Sequence, residues 1–267
     1  MNLPVVMTIA GSDNSAGAGA QADLKTMCAL GVYGVTAITC VVAEVPGKVS
    51  AIQAIEPAIV AEQIRLLFEA YPVAAMKTGM LYSRPIMERV VGELAALQQR
   101  PPLVLDPVMV ATSGASLLKG DGVSYYKESL FPLAALVTPN LDEAGVLIGQ
   151  RITSLHEMRE AGLRLAGEYG CAFLMKGGHL REDVATDLLV QPDGVVSEFR
   201  APFIAGVSTH GTGCTYSAAV AAGLGRGLSL LDAVGEAKRF VARAIGGFLR
   251  WTRPDGGTTD ALHHFSK

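Results

Sequence analysis

Short runs of branched apolar residues alternate with longer stretches of helical periodicity along most of this chain. Six such runs predict strands at 4–10, 35–43, 73–79, 102–106, 134–138 and 172–177. Helices are predicted at 20–31, 57–71, 83–99, 141–148, 154–169, 213–226 and 229–250. Nearly continuous apolar strands suit a sheet covered on both faces, and strand–helix alternation favours parallel strands. We therefore expect an α/β fold built on a central, mostly parallel sheet.

The pattern changes after residue 180. The stretch "VATDLLVQPDGVVSEFRAPF" reads as two strands joined by a "PDG" turn, which predicts a hairpin at the edge of the sheet. "SLHE" at the start of helix 154–169 predicts a capping box of Ser154 and Glu157. No repeat, low-complexity tract or linker divides the 267 residues, so we expect a single domain over 1–267.

Composition argues against several classes of partner. The net charge is −3 and no block of Lys and Arg occurs, so the chain has no footprint for nucleic acid. No run of 18 apolar residues exists, which predicts no membrane span. The four cysteines are scattered without a C-x-x-C pair, as in a cytoplasmic enzyme with reduced thiols.

Polar or glycine-rich stretches follow each of the six predicted strands. They are "GSDNSAGAGAQAD", Glu44, "KTGM", "DPVMVATSG", "TPNLDE" and "KGGH", in chain order. In open α/β sheets, ligands bind at the carboxyl ends of the strands. We therefore expect these stretches to form one site.

The glycine-rich stretch near the amino terminus imitates two nucleotide-binding motifs. Residues Gly17–Ala22 fit G-x-G-x-x-A, but "GSDNSA" separates them from the strand that should directly precede them. Residues Gly19–Thr26 miss the Walker pattern because Leu24 replaces its second glycine. The preferred interpretation is a loop, flanked by Asp13 and Asp23, whose backbone approaches a small substrate closely. A nucleotide-dependent dehydrogenase remains an alternative from another class.

The stretch "STHGTGCTYSAAVAAGLG" begins at residue 208 and presents an unusual helix start. Gly211 and Gly213 let backbone N–H groups converge ahead of the helix, which creates an anion site. A cysteine there, Cys214, feels the positive end of the helix, so we expect a lowered thiol pKa and a role as nucleophile or base. Simple packing is the alternative for Cys214, and His210 is open to a structural or a functional role.

Three strand-end features extend this anion site. Lys176 follows an apolar strand and is expected beside transferred phosphates. Asn140 and Glu143 lie one helical turn apart, either to face a hydrated Mg²⁺ or to form a helix cap. Asp106 ends a strand and is a candidate to organise the metal and its waters. Together these features indicate phosphoryl transfer without a Walker loop.

Six motifs together resemble one known family. "TIAGSD…GAGAQADLKT", "KTGML", "DPVMV", "TPNLDEA", "KGGH" and "STHGTGCT" are similar to the phosphomethylpyrimidine kinases of thiamine biosynthesis, in the ribokinase superfamily, over residues 5 to 245. The resemblance implies a ribokinase-like three-layer αβα sandwich and a homodimer. It also implies two ATP-dependent phosphorylations, of 4-amino-5-hydroxymethyl-2-methylpyrimidine and then of its monophosphate.

The same resemblance implies roles for individual residues. The anion hole would comprise Gly211, Thr212, Gly213 and Cys214, with Cys214 as the base. ATP would be bound by Lys176, Asn140 and Thr209. Glu143 and Asp106 would form a Mg²⁺ network, which Asn140 joins. Substrate would be bound by Gly11, Asp23, Glu44, Met80 and Val108.

One departure concerns substrate identity. The family has "AQNT" after its second strand, with the glutamine reading the pyrimidine, whereas this chain has "AEVPG" with Glu44 at that place. A pyridoxal or pyridoxine kinase is the closest alternative. Val110 and Ala111, where that branch carries a flap cysteine, argue against it. A non-catalytic pyrimidine-binding protein is a further alternative.

Overall fold

A computed structural model gives the fold and describes residues 2–109, 122–178, 180, 183–207 and 210–266. Its strands are β1 (Val5–Asp13), β2 (Tyr33–Val45), β3 (Lys48–Ala54), β4 (Val73–Thr78), β5 (Leu103–Leu105), β6 (Leu136–Val137), β7 (Ala172–Lys176), β8 (Val184–Val190), β9 (Val196–Pro202), β10 (Leu249–Thr252) and β11 (Thr258–Ala261). Its α-helices are α1 (Gly19–Ala29), α2 (Pro57–Ala70), α3 (Arg84–Ala95), α4 (Gly122–Tyr125), α5 (Leu141–Ile148), α6 (Leu155–Tyr169), α7 (Thr212–Gly225) and α8 (Leu230–Gly246). A π-helical turn (Tyr126–Leu130) and a 3-10 turn (Phe131–Leu133) continue α4.

Nine strands form one sheet within the described residues, in the order β3-β2-β1-β4-β5-β6-β7-β8-β9, while β10 and β11 pair separately. The strands β2, β1, β4, β5, β6 and β7 are mutually parallel. Strand β3 runs antiparallel at one edge, and the β8–β9 hairpin runs antiparallel at the other. Both the mostly parallel sheet and the predicted edge hairpin are confirmed.

Helices cover both faces of the sheet because successive strand side chains point to opposite sides. In β1, Val5, Met7 and Ile9 pack into a core with α2, α3, α5 and α6. Val6 points the other way, into a core with α1, α7 and α8. The three-layer αβα sandwich is therefore confirmed.

The elements differ from the sequence prediction at several places, of which one missed strand and two helix ends matter most here. Strand β3 was not predicted, although Pro46 and Gly47 mark a turn and Gly47 has the positive φ of +84° that such a turn requires. Helix α3 ends at Ala95 instead of 99. Helix α8 ends at Gly246 instead of 250, since Gly247 follows as its C-cap and the β-prone "LRWT" pairs with β11.

Smaller predictions are also resolved. The Glu157 backbone N–H donates to Ser154 Oγ at 3.2 Å, which is one half of the predicted capping box. The Glu157 carboxylate accepts instead from the Thr153 N–H, at 2.7 Å. All four cysteines are free thiols. Among the described residues, no helix is both long and apolar enough to cross a membrane.

Candidate active site

The carboxyl ends of the parallel strands open into a cavity of about 1330 Å³. This is where α/β sheets bind ligands. Its wall includes Gly11, Glu44, Met80, Asp106, Val108, Asn140, Glu143, Lys176, Gly211, Thr212, Gly213 and Cys214. The structure thus brings most of the predicted site residues together, while their roles stay predictions. Thr209, Val110 and Ala111 lie outside the described residues.

The start of α7 is shaped for close backbone approach. Gly211 has a φ of +82°, and a Cβ on it would overlap the Gly17 carbonyl, so only glycine fits there. A Cβ on Gly213 would lie 3.2 Å from Lys176 Nζ, which places that ammonium beside the first turn of α7. N–H groups in a first turn have no carbonyl partner within the helix. The helix start and the lysine therefore share one corner of the cavity, called the anion-binding corner below for the role that the sequence predicts.

Cys214 lies in the first turn of α7, but its thiol does not have the lowered pKa expected from the sequence. Burial raises the pKa to about 11, outweighing the Lys77 ammonium, which lowers it, while the Asp23 and Asp106 carboxylates raise it further. The Gly19 N–H donates to the sulfur and favours the thiolate slightly. The prediction was wrong because desolvation of the thiolate exceeds the effect of the helix terminus.

Lys176 and Asp106 form a buried ion pair at the ends of β7 and β5. Lys176 Nζ lies 3.2 Å from Asp106 Oδ1, and the two side chains are 14% and 3% exposed. The Thr138 hydroxyl also donates to Asp106, at 3.2 Å. Burial lowers the pKa of Lys176, but the Asp106 and Glu143 carboxylates outweigh it and raise the pKa. The lysine is therefore a fixed cation.

Asn140 and Glu143 form the helix cap that the sequence left open as an alternative. Asn140 Oδ1 accepts from the Glu143 N–H, and Glu143 Oε2 accepts from the Asn140 N–H, both at 2.8 Å. Burial raises the pKa of Glu143 to about 7; Lys176 opposes this and Asp106 adds to it. The cap accounts for one oxygen of each side chain, so these atoms hold α5 rather than face a cation.

The glycine-rich stretch wraps around a carboxylate of its own chain. Asp13 accepts from the N–H groups of Ser15, Gly17 and Ala18, at 2.7, 3.1 and 2.7 Å. Burial raises the pKa of Asp13, but hydrogen bonds from His210 and these backbone groups lower it to about 2. The carboxylate therefore occupies the donors that a pyrophosphate would need, which argues against the dinucleotide interpretation.

His210 contacts Asp13 and interacts electrostatically with Glu44. Its Nε2 is 3.3 Å from Asp13 Oδ2, and the imidazole is 12% exposed. That hydrogen bond raises the pKa of His210 against the effect of burial, and the Glu44 charge adds to the increase. Burial and the Asp13 charge raise the pKa of Glu44, and His210 opposes them. Through its contact with Asp13, His210 connects the glycine-rich loop to the residues that precede α7. Its positive charge, when it is protonated, also interacts with the Glu44 carboxylate.

Asp23 was predicted to bind substrate, and the structure corrects that placement. It is fully buried, outside the cavity wall, and its carboxylate lies 2.8 and 3.0 Å from Lys77 Nζ. Lys77, in turn, is part of the wall although its side chain is 0% exposed. Sequence analysis included Lys77 in the stretch "KTGM" but gave it no role of its own; the signal was a charged residue inside the apolar strand "VAAMKTG".

A second buried ion pair in the wall was also missed. Lys238 Nζ of α8 lies 2.6 Å from Asp187 Oδ2 of β8, and Asp187 Oδ1 accepts from the Gly177 N–H at 3.0 Å. Apolar residues of α8, Val241 and Ile245, continue the wall beside it. No sequence motif joins these residues, because Asp187 lies in the edge hairpin and Lys238 lies in α8, 51 residues later.

The predicted metal residues fit a hydrated cation better than a direct ligand set. The described residues contain no group of three or more His, Cys, Asp or Glu side chains placed to hold a metal together. Mg²⁺ commonly keeps several waters and takes one or two carboxylates plus substrate phosphates. Asp106 and Glu143 supply two carboxylates in the same wall, and their charges interact, since Asp106 adds to the increase that burial causes in the pKa of Glu143.

Fold and site together define a class of protein. A three-layer αβα sandwich, with a lysine beside a glycine-rich helix start at the strand ends, is a ribokinase-like small-molecule kinase. The pyridoxal kinase of Bacillus subtilis, solved as an ADP complex, has this fold with a TM-score of 0.89. It is 32% identical, and the match covers 99% of this chain and 98% of that one.

The chain belongs to the phosphomethylpyrimidine kinase family, whose model matches residues 13–258. The hydroxymethylpyrimidine/phosphomethylpyrimidine kinase of Rhizobium meliloti is 41% identical, over 98% of this chain and 97% of that protein. The thiamine biosynthesis bifunctional protein ThiED of Geobacter sulfurreducens is 44% identical over 97% of this chain. The chain spans about half, 52%, of the length of that second relative.

Proposed function

We propose that this chain uses Mg²⁺ and ATP to phosphorylate 4-amino-5-hydroxymethyl-2-methylpyrimidine and then its monophosphate, in thiamine biosynthesis. The observation that carries the proposal is the meeting of the α7 start and Lys176 in one cavity wall. Relatives that match almost end to end bear the name of this activity. A family match over most of the chain supports the same reaction.

The anion-binding corner serves the transferred phosphoryl group. The first-turn N–H groups of α7 have no carbonyl partner within the helix, and the Lys176 ammonium lies beside Gly213. Fixed donors and a fixed cation stabilise the charge that grows on phosphoryl oxygens in the transition state. Asp106 holds the ammonium in place with Oδ1, while its Oδ2 accepts from the Ser217 hydroxyl of α7 at 3.2 Å. The apolar wall near Val241 offers a place for the nucleoside of ATP.

In the first step, the hydroxymethyl oxygen attacks the γ-phosphorus of ATP. The bond from that phosphorus to the β,γ-bridging oxygen breaks, and ADP leaves with the oxygen. The hydroxyl proton passes to the Cys214 sulfur, which accepts it only as a thiolate. With a thiol pKa of about 11, roughly one molecule in 10⁴ holds the thiolate at pH 7. The rate of the first step therefore depends on the small fraction of protein that holds the Cys214 thiolate, and this fraction increases with pH.

In the second step, a phosphate oxygen of the monophosphate attacks the γ-phosphorus of a second ATP, and ADP leaves again. A phosphate monoester is already mostly a dianion near neutral pH. No proton has to be removed, so Cys214 contributes only its place in the helix start. The two steps thus make different demands on one residue.

Mg²⁺, when bound, neutralises charge on the ATP phosphates. Asp106 and Glu143 would hold its waters, since each carboxylate lies in the wall and Asn140 uses one Glu143 oxygen. A cation there would also lower the pKa of Glu143, now about 7, by favouring the carboxylate.

Glu44 is proposed to read the pyrimidine as a protonated carboxyl group. A neutral carboxyl has one donor and one acceptor, as a glutamine amide does, and so matches the amino group and neighbouring ring nitrogen. Burial and the Asp13 charge raise the pKa of Glu44 in the required direction. Alternatively the ring nitrogen binds protonated against an ionised Glu44. Either complex carries one extra proton, so affinity should fall as pH rises.

A pyridoxal or pyridoxine kinase is the second candidate. The observation that favours it is the TM-score of 0.89 with the B. subtilis pyridoxal kinase, a protein of 32% identity. The 41% identity to the R. meliloti relative favours the pyrimidine instead.

ADP release, measured with the pyrimidine, its monophosphate, pyridoxal and pyridoxine, tests both candidates. We expect the two pyrimidines to be turned over most efficiently. A higher kcat/KM for pyridoxal would transfer the assignment to vitamin B6, and no ADP release with any of the four would refute the kinase proposal. NADH fluorescence on mixing tests the dehydrogenase alternative, for which no change is expected.

We further infer one domain over 1–267, a homodimer and a cytoplasmic location. The continuous nine-stranded sheet supports the single domain. Val41 and Val45 on β2, next to the edge strand β3, are 47% and 53% exposed, and a second copy would cover them. Four free thiols suit a reducing compartment. Sedimentation velocity should give twice the chain mass of 27.9 kDa, and a monomer would refute the dimer.

A further inference from the structure

The first turn of α7 is connected to the carboxyl-terminal end of the chain by a buried hydrogen bond. Thr215 Oγ1 lies 3.0 Å from Nε2 of His264, which is 49 residues later, and the two residues are 0% and 4% exposed. The Thr215 N–H donates to the Gly211 carbonyl at 2.9 Å, which closes the turn that contains Gly213 and Cys214. His264 therefore contacts the turn that contributes to the anion-binding corner.

The His264 ring is a neutral hydrogen-bond acceptor toward Thr215. Burial lowers the pKa of His264 to about 4, and the Lys25 and His263 charges add to this effect. A hydrogen bond to the Leu262 backbone opposes it, as expected of a bond that the ring donates. A neutral imidazole has one donor and one acceptor nitrogen. The Nδ1–H therefore donates to Leu262, and Nε2 accepts from the Thr215 hydroxyl.

A second contact connects the same end of the chain to the residues before α7. Arg250 of β10 forms a bidentate ion pair with Asp260 of β11, at 2.7 and 2.8 Å. The Arg250 guanidinium also donates to the Gly206 carbonyl at 3.1 Å, and Gly206 is part of the cavity wall. The carboxyl-terminal segment, residues 249–264, thus contacts the chain both before α7 and, at Thr215, in its first turn.

Apolar packing alone constrains the position of α7 only weakly. The α7 side chains in the core on this face of the sheet are mostly small, namely those of Ala218, Ala219, Ala221 and Ala222. Apolar contact is non-directional, whereas a hydrogen bond requires a narrow range of distance and angle. One such bond joins Ser217 to Asp106 at 3.2 Å, and the other joins Thr215 to His264. The helix start therefore has one directional contact with the sheet and one with the carboxyl-terminal segment.

We propose that His264 is a positioning residue, which holds the first turn of α7 in the geometry that phosphoryl transfer requires. The proposal deepens the proposed function and rests on the anion-binding corner as the site of both phosphorylations. A buried hydrogen-bonded pair adds little stability over apolar side chains of the same shape, so stability alone does not account for it. Because both phosphorylations pass through that corner, His264 affects both, whereas Cys214 takes a proton only in the first.

Loss of the contact should lower turnover without weakening binding. We expect His264→Phe to lower kcat about tenfold for both acceptors and to leave the KM values for ATP and acceptor within about twofold, because small misplacements of catalytic groups act on rate. His264→Gln places an amide oxygen near the position of Nε2 and should recover most of the loss. The matched control His263→Gln keeps its backbone bond to the Ala244 carbonyl and should equal the parent. A loss confined to the first phosphorylation would overturn the positioning role.

The double variant Thr215→Val/His264→Phe separates positioning from stability. His264→Phe leaves the buried Thr215 hydroxyl without its acceptor, which should lower the melting temperature, whereas the double variant removes both polar groups. Its melting temperature should return toward that of the parent while kcat stays about tenfold low. Recovery of both the melting temperature and kcat would overturn the positioning role.

Amide hydrogen exchange reports on the helix start without any substrate. In the double variant we expect peptides that cover 212–217 to exchange about tenfold faster than in the parent, because local opening becomes easier there. Peptides from α2, which packs in the core on the other face of the sheet, should be unchanged. Faster exchange at 212–217 supports the positioning role even if the parent phosphorylates no pyrimidine. Unchanged exchange there overturns it, even if the parent is an active kinase.

Discussion

Raising the pH from 7 to 9 should accelerate the first phosphorylation about 100-fold and leave the second almost unchanged. The magnitude follows from the Cys214 thiol, whose pKa is about 11. The thiolate fraction is ~10⁻⁴ at pH 7, four units below that pKa, and ~10⁻² at pH 9, two units below it. The fraction therefore changes tenfold for each pH unit. The monophosphate acceptor, with a second pKa near 6, is already about nine-tenths dianion at pH 7. Only the first step therefore has a proton left to lose.

The assay must observe the chemical step itself. Rapid-quench single turnovers, with enzyme in excess over γ-labelled ATP and saturating pyrimidine, exclude both product release and the pH dependence of pyrimidine binding. Cys214→Ala should lower the first step by ~10²–10⁴-fold and remove its slope. Cys28→Ser, which alters an exposed thiol, should keep the slope.

Two results would refute this reasoning. A flat pH profile for the first step in the parent protein would show that no group with so high a pKa takes the proton. Equal losses in both steps on Cys214→Ala would show that the residue shapes the anion hole only.

Other predictions concern the remaining site residues. Lys176→Met should lower kcat ~10²-fold or more, and more than it raises the KM for ATP, because its charge acts in the transition state; a raised KM with unchanged kcat in steady-state assays would make it a binding residue only. Gly211→Ala should abolish activity since its Cβ would overlap Gly17, whereas Gly194→Ala, with a similar φ of +85° and open surroundings, should cost about 1–2 kcal/mol of stability and no activity. Equal activity in the two variants would contradict the role of the helix start. Glu44→Gln should flatten the fall in pyrimidine affinity with rising pH and tighten binding at alkaline pH; calorimetry that shows unchanged dependence would mean that Glu44 does not touch the ring. His210→Gln should lower the melting temperature fully below pH 6.5 and progressively less as pH rises through the raised pKa of His210, because the folded protein binds that proton more tightly; a pH-independent difference would contradict the ion pair.

Several features of fold and site could be predicted because they depend on local periodicity. The first strand was expected over 4–10 and runs from Val5 to Asp13, and helix 141–148 was predicted at its observed bounds. The cap of Asn140 and Glu143 was recognisable from a spacing of three residues. The clustering of strand-end stretches followed from a rule of parallel sheets, without any distance being known.

Features that depend on contacts distant in sequence could not be predicted. Asp23 and Lys77 are 54 residues apart, and no spacing rule connects a helix position with a strand position across a layer. Asp13 was noted as a flank of the loop, yet its capture of three backbone N–H groups appears only in the folded chain. The edge strand β3 was missed because its pairing with β2 depends on one tight turn.

The sequence by itself determined which residues occupy the strand ends and the helix start, because periodicity and glycine placement act within a few residues. Only the tertiary structure decided the chemical state of those residues. Cys214 illustrates the difference: the helix start predicted an acidic thiol, whereas packing of α1 and β4 around it raised its pKa to about 11. The physical reason is that desolvation and charge–charge interactions depend on the three-dimensional surroundings of a group, which local sequence does not contain.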